Sequence, residues 1–437
     1  MNFSEKELIY EINDYLEKLF PLCRSITGEN NRFTLKELSK IIELNLIEIS
    51  SGTKVFDWEI PEEWNINDAY IADINGKKIV NFKESNLHIV SYSIPINKLM
   101  YFEELKKNLH LHESLPDAIP YRTSYYKKDW GFCVTKKQYD ELSKLSSPLK
   151  VFIDSRFSKG SLTYGEYLLK GQSKKELLIS CYICHPSMAN DSLSGVILTC
   201  FLARYLREKK SRKWSYRFVF IPETIGAITY CFFNREIMKK IREGIVITTV
   251  GGKGKFSYKK TWDSNHWLNY LIEENFNSLN KEFNTYPFDI NGSDERQYSS
   301  QGFRINTASI FKDKYYEYKE YHSSLDDLDF VNSNQIHESF KIYKSLIDKI
   351  ENLKFYKNLK PNCEVMLSKY NLYPTTGGEY TTKNEKYSLT DKVLWILFLC
   401  DGNKPIEKIA KDIGIEIQEL NTIIEKLIKL GLIKELL

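Results

Sequence analysis

The chain begins with hydrophobic residues at the spacing of an amphipathic helix. Ser4 and Glu7 form a capping box, which is typical of the first turn of a helix. The apolar residues that follow recur every three or four positions and so share one helix face: Leu8, Ile12, Leu16 and Leu19. The same capping pattern at Thr34 and Glu37 predicts a second helix that continues to about residue 46.

The pattern changes in residues 53–155. Short runs at 69–74, 78–82 and 88–93 are typical of strands, and glycine and proline residues interrupt them. This stretch therefore predicts a mostly β domain that is inserted into the chain.

Beyond residue 162, strand patterns and helix patterns alternate. The predicted pairs are strand 177–183 with helix 192–208, strand 216–221 with helix 228–241, strand 245–250 with helix 264–277, and strand 305–310 with helix 334–353. Such alternation predicts an α/β fold with a doubly wound, mainly parallel sheet. We assign residues 1–52 and 156–358 to this α/β domain.

A lysine-rich stretch with a proline, residues 354–364, predicts a linker to a C-terminal domain at 365–437. Three helical patterns follow, at 389–400, 406–413 and 417–430, and a short apolar segment ends the chain. Three helices and a strand in so few residues indicate a winged-helix domain. Residues 401–437 carry six basic and seven acidic side chains, which favours a protein contact or a packing role over nucleic-acid binding.

Composition narrows the functional classes. The 437 residues include 62 basic and 58 acidic side chains, a net charge of +4, so the charge gives no reason to expect nucleic acid as a partner. The first residues lack the features of a secretion signal. No apolar run approaches the ~18 residues that a membrane span needs, and eight scattered cysteines suit a reducing compartment. We therefore expect a cytoplasmic protein without a membrane partner.

Potential metal ligands stand where the predicted strands end. His185 follows an apolar strand, and Asp191 precedes the next helix; Glu223 follows another strand, and His322 lies on a polar loop. Open α/β sheets bind ligands at this edge, and imidazole and carboxylate groups are zinc ligands. Taken one at a time, these residues also have structural interpretations, such as a helix N-cap for Asp191 or a favourable charge at a helix start for Glu223.

The order of the motifs resembles the M28-type zinc aminopeptidases. The matching segments are His185, 190–195 (Asn-Asp-Ser-Leu-Ser-Gly), 222–226 (Pro-Glu-Thr-Ile-Gly), 292–294 (Gly-Ser-Asp) and 322–327 (His-Ser-Ser-Leu-Asp-Asp). The chain is more similar still to a bacterial family of aminopeptidase-like proteins with an inserted domain and a C-terminal winged helix. The segments that carry this second resemblance are 24–28, 56–64, 119–126 and 130–133.

This resemblance implies a zinc-dependent hydrolase. His185, Asp191 and His322 match the family's metal ligands and Glu223 its general base, so a metal-activated water would attack the amide bond of a peptide or small aminoacyl compound. The chain departs from the M28 pattern at three places, where acidic ligands are replaced by Thr224, Ser187 and 251–252 (Gly-Gly). One zinc ion is therefore favoured over two.

Four further residues are candidates for substrate binding. Asp294 and Arg296 lie in the glycine-containing loop, and Arg122 and Tyr125 lie in the insert, where they would form a wall over the cleft or belong to the core of the insert. The reaction has alternatives. An amidase or deacylase that acts on a modified sugar or small molecule, and a non-catalytic binding or regulatory protein that retains the fold, both fit the same residues. The sequence does not indicate an oligomeric state.

Overall fold

The computed structural model describes residues 4–373 and 387–436. It contains two compact units, one formed by Met1–Ser264 and Phe276–Lys344 and the other by Asn265–Asn275 and Ser345–Leu437. Among the described residues, no helix combines the length and the apolar character that crossing a bilayer requires.

The described helices, in chain order, are α1 (Glu5–Leu19), α2 (Glu29–Leu38), α3 (Phe102–Leu105), α4 (Lys136–Ser143), α5 (Gly195–Glu208), α6 (Ile225–Phe233), α7 (Arg235–Met238), α8 (Trp267–Ser278), α9 (Glu295–Tyr298), α10 (Ser333–Asn352), α11 (Leu389–Leu399), α12 (Ile406–Ile413) and α13 (Ile417–Lys429). The strands are β1 (Asn45–Ser50), β2 (Lys54–Val55), β3 (Trp58–Glu59), β4 (Glu63–Ala72), β5 (Lys78–Asn81), β6 (Ile96–Met100), β7 (Leu109–His110), β8 (Phe132–Cys133), β9 (Leu149–Ser158), β10 (Ser161–Leu169), β11 (Glu176–Tyr182), β12 (Ser215–Ile221), β13 (Ile241–Ile247), β14 (Phe256–Lys259), β15 (Phe283–Tyr286), β16 (Asn306–Phe311), β17 (Phe355–Asn358), β18 (Asp401–Pro405) and β19 (Ile433–Leu436).

An eight-stranded mixed sheet forms the centre of the first unit. Its strand order is β1-β10-β12-β11-β13-β16-β14-β15. The four central strands, β12, β11, β13 and β16, are parallel, whereas β1 and β10 on one side and β14 on the other run antiparallel to their inner neighbours. Every residue of β11 and β12 is buried, as expected for parallel strands covered on both faces. The α/β prediction with a doubly wound sheet is confirmed.

A second, antiparallel sheet lies within the first unit. Its order is β5-β4-β9-β6, and β9 leads through residues 159–160 directly into β10 of the large sheet. The β-rich character that we expected for this stretch agrees with these strands, although 88–93 is not among them: Asn86–His88 is a 3-10 helix, and only isolated bridges follow. The domain limits that we assigned from the sequence stay predictions.

The two capping boxes have different outcomes. Ser4 and Glu7 make both reciprocal hydrogen bonds at the start of α1, so the first prediction is confirmed. The second is wrong, because α2 begins after Gly28, whose φ of 108° is accessible to glycine. Thr34 lies inside α2, where its hydroxyl donates a hydrogen bond to the carbonyl of Asn30 at 2.8 Å. This back-bonding satisfies the hydroxyl within the helix and leaves it no capping role.

The second unit contains the C-terminal helices α11, α12 and α13 and a three-stranded antiparallel sheet of order β18-β17-β19. The apolar faces of the helices form a core of their own, with Ile396, Ile409, Leu420 and Leu427 buried. The three helices and terminal strand expected from the sequence are thus present.

Candidate metal centre and active site

Two neighbouring strands of the large sheet end beside each other, and the residues after them carry the candidate chemistry. β11 and β12 are parallel along their whole length, so their carboxyl ends meet at one edge of the sheet. His185 follows β11 by three residues and Glu223 follows β12 by two. His322 reaches the same edge from the loop between β16 and α10.

His185, Asp191 and His322 converge at this edge. Nε2 of His322 lies 3.1 Å from Oδ2 of Asp191, and Nε2 of His185 lies 3.9 Å from the same oxygen. One ligand atom from each residue lies within 4.8 Å of the other two. Tetrahedral ligands at about 2.0–2.2 Å from zinc are separated by roughly 3.3–3.6 Å. The observed spacing therefore suits a zinc ion with only small side-chain movements.

The contact between His322 and Asp191 is close, yet it lacks the geometry of a hydrogen bond. Nε2 of His322 is buried, and within residues 4–373 and 387–436 it has no hydrogen-bond partner. A buried polar atom without a partner is costly, and ligation of a metal ion would satisfy it. The arrangement of the three side chains is therefore compatible with a bound metal ion.

The protonation states of His185 and Asp191, both buried, also suit metal binding. Burial lowers the pKa of His185 to about 4, so its imidazole is neutral near pH 7 and can act as a ligand. Burial alone would raise the pKa of Asp191, but the neighbouring histidines and the Tyr182 hydroxyl outweigh it and lower the value to about 2. A neutral imidazole and an ionised carboxylate are the ligand forms of these groups.

Asp191 is fixed by hydrogen bonds to its side chain and backbone. The Tyr182 hydroxyl donates to Oδ1 at 2.6 Å, which leaves Oδ2 on the side of the histidines. The Asp326 carboxylate accepts the backbone N–H groups of Asn190 at 2.6 Å and of Asp191 at 2.9 Å, and the Tyr318 hydroxyl donates to Asp326 at 3.1 Å. Such outer partners orient metal ligands.

The two histidines are positioned by residues distant in the sequence. Arg24 is 2% exposed, and its Nε donates to the carbonyl of His185 at 3.0 Å. The backbone N–H of Tyr121 donates to the carbonyl of His322 at 2.7 Å. The ring of Tyr121 lies 5.5 Å from the His185 ring and 5.1 Å from the His322 ring. The segment around Tyr121 therefore covers both imidazoles.

Glu223 lies beside this group. Its Oε2 is 3.9 Å from Nε2 of His185, and its side chain is 27% exposed. Its backbone N–H donates to Sγ of Cys184 at 3.2 Å. The next residue, Thr224, has a φ of 62°, which is strained for a β-branched residue, and its N–H donates to Oδ1 of Asp294 at 2.7 Å. The carboxylate of Asp294 thus stabilises the turn that presents Glu223.

Two carboxyl groups of this site have raised pKa values. Burial raises the pKa of Glu223 well above its ordinary value, and the charges of Asp294 and Asp191 raise it further. Burial also raises the pKa of Asp294 to about 7. Carboxyl groups with raised pKa values in a cleft are typical of sites that hold or transfer a proton.

The site opens into a cavity of about 80 Å³. Among the described residues it is lined by Tyr182, Asp191, Glu223, Gly292, Ser293, Arg296, Tyr315, Tyr316, Tyr321 and His322. The ring of Tyr321 stacks on His322, with centroids 3.8 Å apart.

The four candidates for substrate binding have different positions. Arg296 lines the cavity, and Asp294 holds the adjacent turn. Tyr125 shares a 2.7 Å hydrogen bond with the hydroxyl of Tyr121. Arg122 is exposed, donates to the carbonyl of Tyr121 and is absent from the described cavity lining. Tyr121 belongs to the segment 119–126 that carries the family resemblance, but the sequence pattern gave no sign of Tyr182 or Tyr321, because an aromatic residue near a strand or loop is usually part of the core.

The departures from the M28 pattern have structural counterparts. Ser187 donates to the carbonyl of Phe20 at 3.1 Å instead of facing the histidines. A Cβ on Gly252 would lie 2.0 Å from Oδ2 of Asp313, so the Asp313 carboxylate fills the space of a side chain there. Asp313 is held by the side chain of Asn190 and the N–H of Gly254, both at 2.9 Å.

Comparisons with known proteins agree with this fold. Residues 13–353 match the family model described as "Domain of unknown function (DUF4910)", and residues 354–435 match one described as "winged helix-turn-helix". A Clostridium acetobutylicum protein named "Putative polysaccharide biosynthesis protein with aminopeptidase-like domain" is 41% identical over 424 residues, covering 97% of this chain and 96% of that protein.

Solved structures of peptidases and peptidase-like proteins are also similar to this chain. A crystal structure from Clostridium acetobutylicum, described as a "putative peptidase", is 40% identical with a TM-score of 0.81 and covers 99% of this chain and 97% of that chain. The zinc aminopeptidase BSAP from Bacillus subtilis is 11% identical with a TM-score of 0.58, covering 80% and 95%. An M28 peptidase precursor from Shewanella amazonensis is 12% identical with a TM-score of 0.53, covering 78% and 95%. The last two likenesses concern the fold alone.

Fold and site together define an aminopeptidase-like α/β protein with a C-terminal winged helix. The chain belongs to the DUF4910 family. The predicted resemblance to M28-type aminopeptidases is confirmed at the level of the fold.

Proposed function

We propose that this protein is a zinc-dependent hydrolase that cleaves an amide bond of a peptide or small aminoacyl compound. The observation that supports this most strongly is the convergence of His185, Asp191 and His322, whose ligand atoms lie within 4.8 Å of one another, with Glu223 beside them. These three residues would hold one zinc ion, because the acidic residues of a second site are absent at positions 187, 224 and 252.

A bound zinc ion supplies Lewis acidity and lowers the pKa of water. Glu223 is the residue that moves the proton. Its carboxylate accepts a proton as the nucleophile forms and donates it to the departing amine, which requires a pKa near the working pH. Burial, and after it the negative charges of Asp294 and Asp191, raise the pKa of Glu223 above that of an ordinary glutamate. Tyr121 and Tyr321 limit the access of water to the imidazoles.

Two variants test this proposal. Glu223→Gln keeps the shape but cannot accept a proton, so turnover of aminoacyl p-nitroanilides should fall by at least about 10²-fold while zinc content is unchanged. His322→Ala should lower zinc content, measured by elemental analysis. Glu236→Gln, a change at an exposed helix position, and His112→Ala, on a turn of the insert, are the matched controls. Full activity of Glu223→Gln would exclude its role as the base.

A second candidate function is an amidase or deacylase acting on a modified sugar. It is favoured by the name of the Clostridium relative, which refers to polysaccharide biosynthesis. The Tyr316 side chain, 67% exposed, also lines the cavity and offers an aromatic surface for a ring. Parallel assays with aminoacyl and N-acyl hexosamine substrates separate the two reactions. A protein that stays free of zinc when purified with zinc present would instead indicate a non-catalytic binding protein.

We further propose that the winged helix contacts a protein. Trp395 and Phe398 on α11 are 40% and 77% exposed, and residues 401–437 have a net charge of −1, from six basic and seven acidic side chains. Exposed aromatic side chains are typical of protein interfaces, whereas DNA binding usually needs a basic helix.

A further inference from the structure

Arg296 is a cation of the site that makes no direct ion pair with a carboxylate of the described residues. It lines the 80 Å³ cavity together with Asp191, Glu223 and His322. Within the described part of the chain, none of its nitrogens lies within 4.0 Å of a carboxylate oxygen, and it is the one arginine or lysine of the cavity lining.

The hydrogen bonds of Arg296 are few and long. Nη1 donates to the carbonyl of Ile290 at 3.2 Å, and Nη2 donates to the hydroxyl of Thr224 at 3.4 Å. Nε is buried and has no hydrogen-bond partner among the residues that the structure describes. A guanidinium group has five N–H donors arranged to bind a planar or tetrahedral anion through two parallel hydrogen bonds. Most of this capacity is unused, and both neighbours that it contacts are neutral.

We propose that Arg296 binds an anionic group of the substrate, a carboxylate or a phosphate, close to the bond that is cleaved. This inference rests on the proposed hydrolase function and specifies its substrate class. The cavity has room for roughly three water-sized groups at ~30 Å³ each, so the anion lies only a few atoms from Glu223 and His322.

A different role for Arg296 would be to balance the negative charge of Glu223 and Asp294, since its charge lowers the pKa of both groups. These two roles differ in what a substitution changes. A charge-balancing residue affects neutral and anionic ligands alike, whereas an anion-binding residue affects only the anionic ones.

Binding to matched ligand pairs tests the proposal without a need for turnover. Full-length zinc-loaded Glu223→Gln protein is titrated calorimetrically with two series. One comprises N-acetylalanine, its phosphonate analogue and its neutral methylamide. The other comprises N-acetylglucosamine, its 6-phosphate and its 6-carboxylate. The same titrations are repeated with double variants that combine Glu223→Gln with Arg296→Gln, with Arg296→Lys or with the control Arg304→Gln. The control removes an exposed guanidinium group that lies outside the cavity lining. Zinc content and melting temperature are recorded for each.

We expect at least one anionic ligand to bind about tenfold or more tightly than its neutral counterpart. Arg296→Gln should reduce this ratio to about one, Arg296→Lys should keep part of it, and Arg304→Gln should leave it unchanged. The anionic ligand that binds most tightly in a series shows whether the bound group is a carboxylate or a phosphorus oxyanion (phosphate or phosphonate). Equal binding within every pair, or an equal loss for both members of a pair in Arg296→Gln, would overturn the proposal. An anionic preference in a protein whose unsubstituted form hydrolyses no amide would refute the hydrolase function while leaving the binding site intact.

Discussion

Replacing Asp326 with asparagine tests how the proposed metal site is held, because Asp326 acts on Asp191 only through the backbone. Its two oxygens accept the N–H groups of Asn190 and Asp191 at 2.6 and 2.9 Å and, in addition, the Tyr318 hydroxyl at 3.1 Å. Asparagine keeps one acceptor oxygen, and its NH₂ group would face a donor. The turn that carries Asp191 would therefore lose a charge-assisted hydrogen bond and gain a repulsive contact.

A hydrogen bond to a charged group contributes about 1.5–3 kcal/mol, and an unpaired buried donor costs about 1–3 kcal/mol. We therefore expect Asp326→Asn to lower the free energy of unfolding by about 2–4 kcal/mol. Loss of a residue that orients a metal ligand weakens metal affinity about 10–100-fold, and we expect a zinc dissociation constant raised by that factor.

Competition with a chromophoric chelator measures the zinc affinity, and denaturant unfolding measures the stability. Asp327→Asn is the matched control, because Asp327 accepts the N–H groups of Asp329 and Phe330 and has no hydrogen bond to the 190–191 turn. If Asp326→Asn binds zinc as tightly as the unsubstituted protein, the turn does not depend on this carboxylate and the reasoning fails.

Three further predictions follow from particular contacts. Gly252→Ala should lower the free energy of unfolding by about 1–3 kcal/mol, because the added Cβ would lie 2.0 Å from Asp313. The control Gly302→Ala, whose Cβ would meet nothing within 4 Å, should have no such effect in the same unfolding experiment. Equal stabilities of the two variants would contradict the close contact between Gly252 and Asp313. Burial raises the pKa of Asp313 to about 6, so between about pH 4 and 6 the folded protein keeps a proton that the unfolded chain releases. The contribution of Asp313 to the free energy of unfolding should therefore fall over this range by up to about 3 kcal/mol. Asp313→Asn should remove this part of the pH dependence, and an unchanged dependence would assign it to other groups. The full-length protein should show no salt-sensitive binding to duplex DNA when fluorescence anisotropy is measured between 50 and 200 mM salt. An affinity for DNA that falls steeply over this range would instead favour a DNA-binding winged helix.

Much of the fold was predictable because hydrophobic patterning depends on local sequence. The buried strands β11 and β12 consist mostly of apolar residues, and α12 and α13 have clear apolar faces. The error at α2 arose from the same local reasoning. The Thr34 capping pattern was present, but the position of Gly28 and the packing of the following residues determined where the helix begins. Patterns within a few residues cannot report such competition.

The sequence by itself determined which candidate groups are available near the sheet edge: two imidazoles and two carboxyl groups. His185, Asp191 and Glu223 stand at or near the end of a predicted element, and His322 stands on a loop. Only the tertiary structure decided how they meet. Asp326 lies 135 residues from Asp191 and Arg24 lies 161 residues from His185, yet each makes a direct hydrogen bond to the other segment. The positions of Tyr121, Asp313 and Arg296 in the site likewise depend on contacts between distant segments. Hydrogen bonds and charge interactions depend on distance and direction in space, and separation along the chain does not specify either.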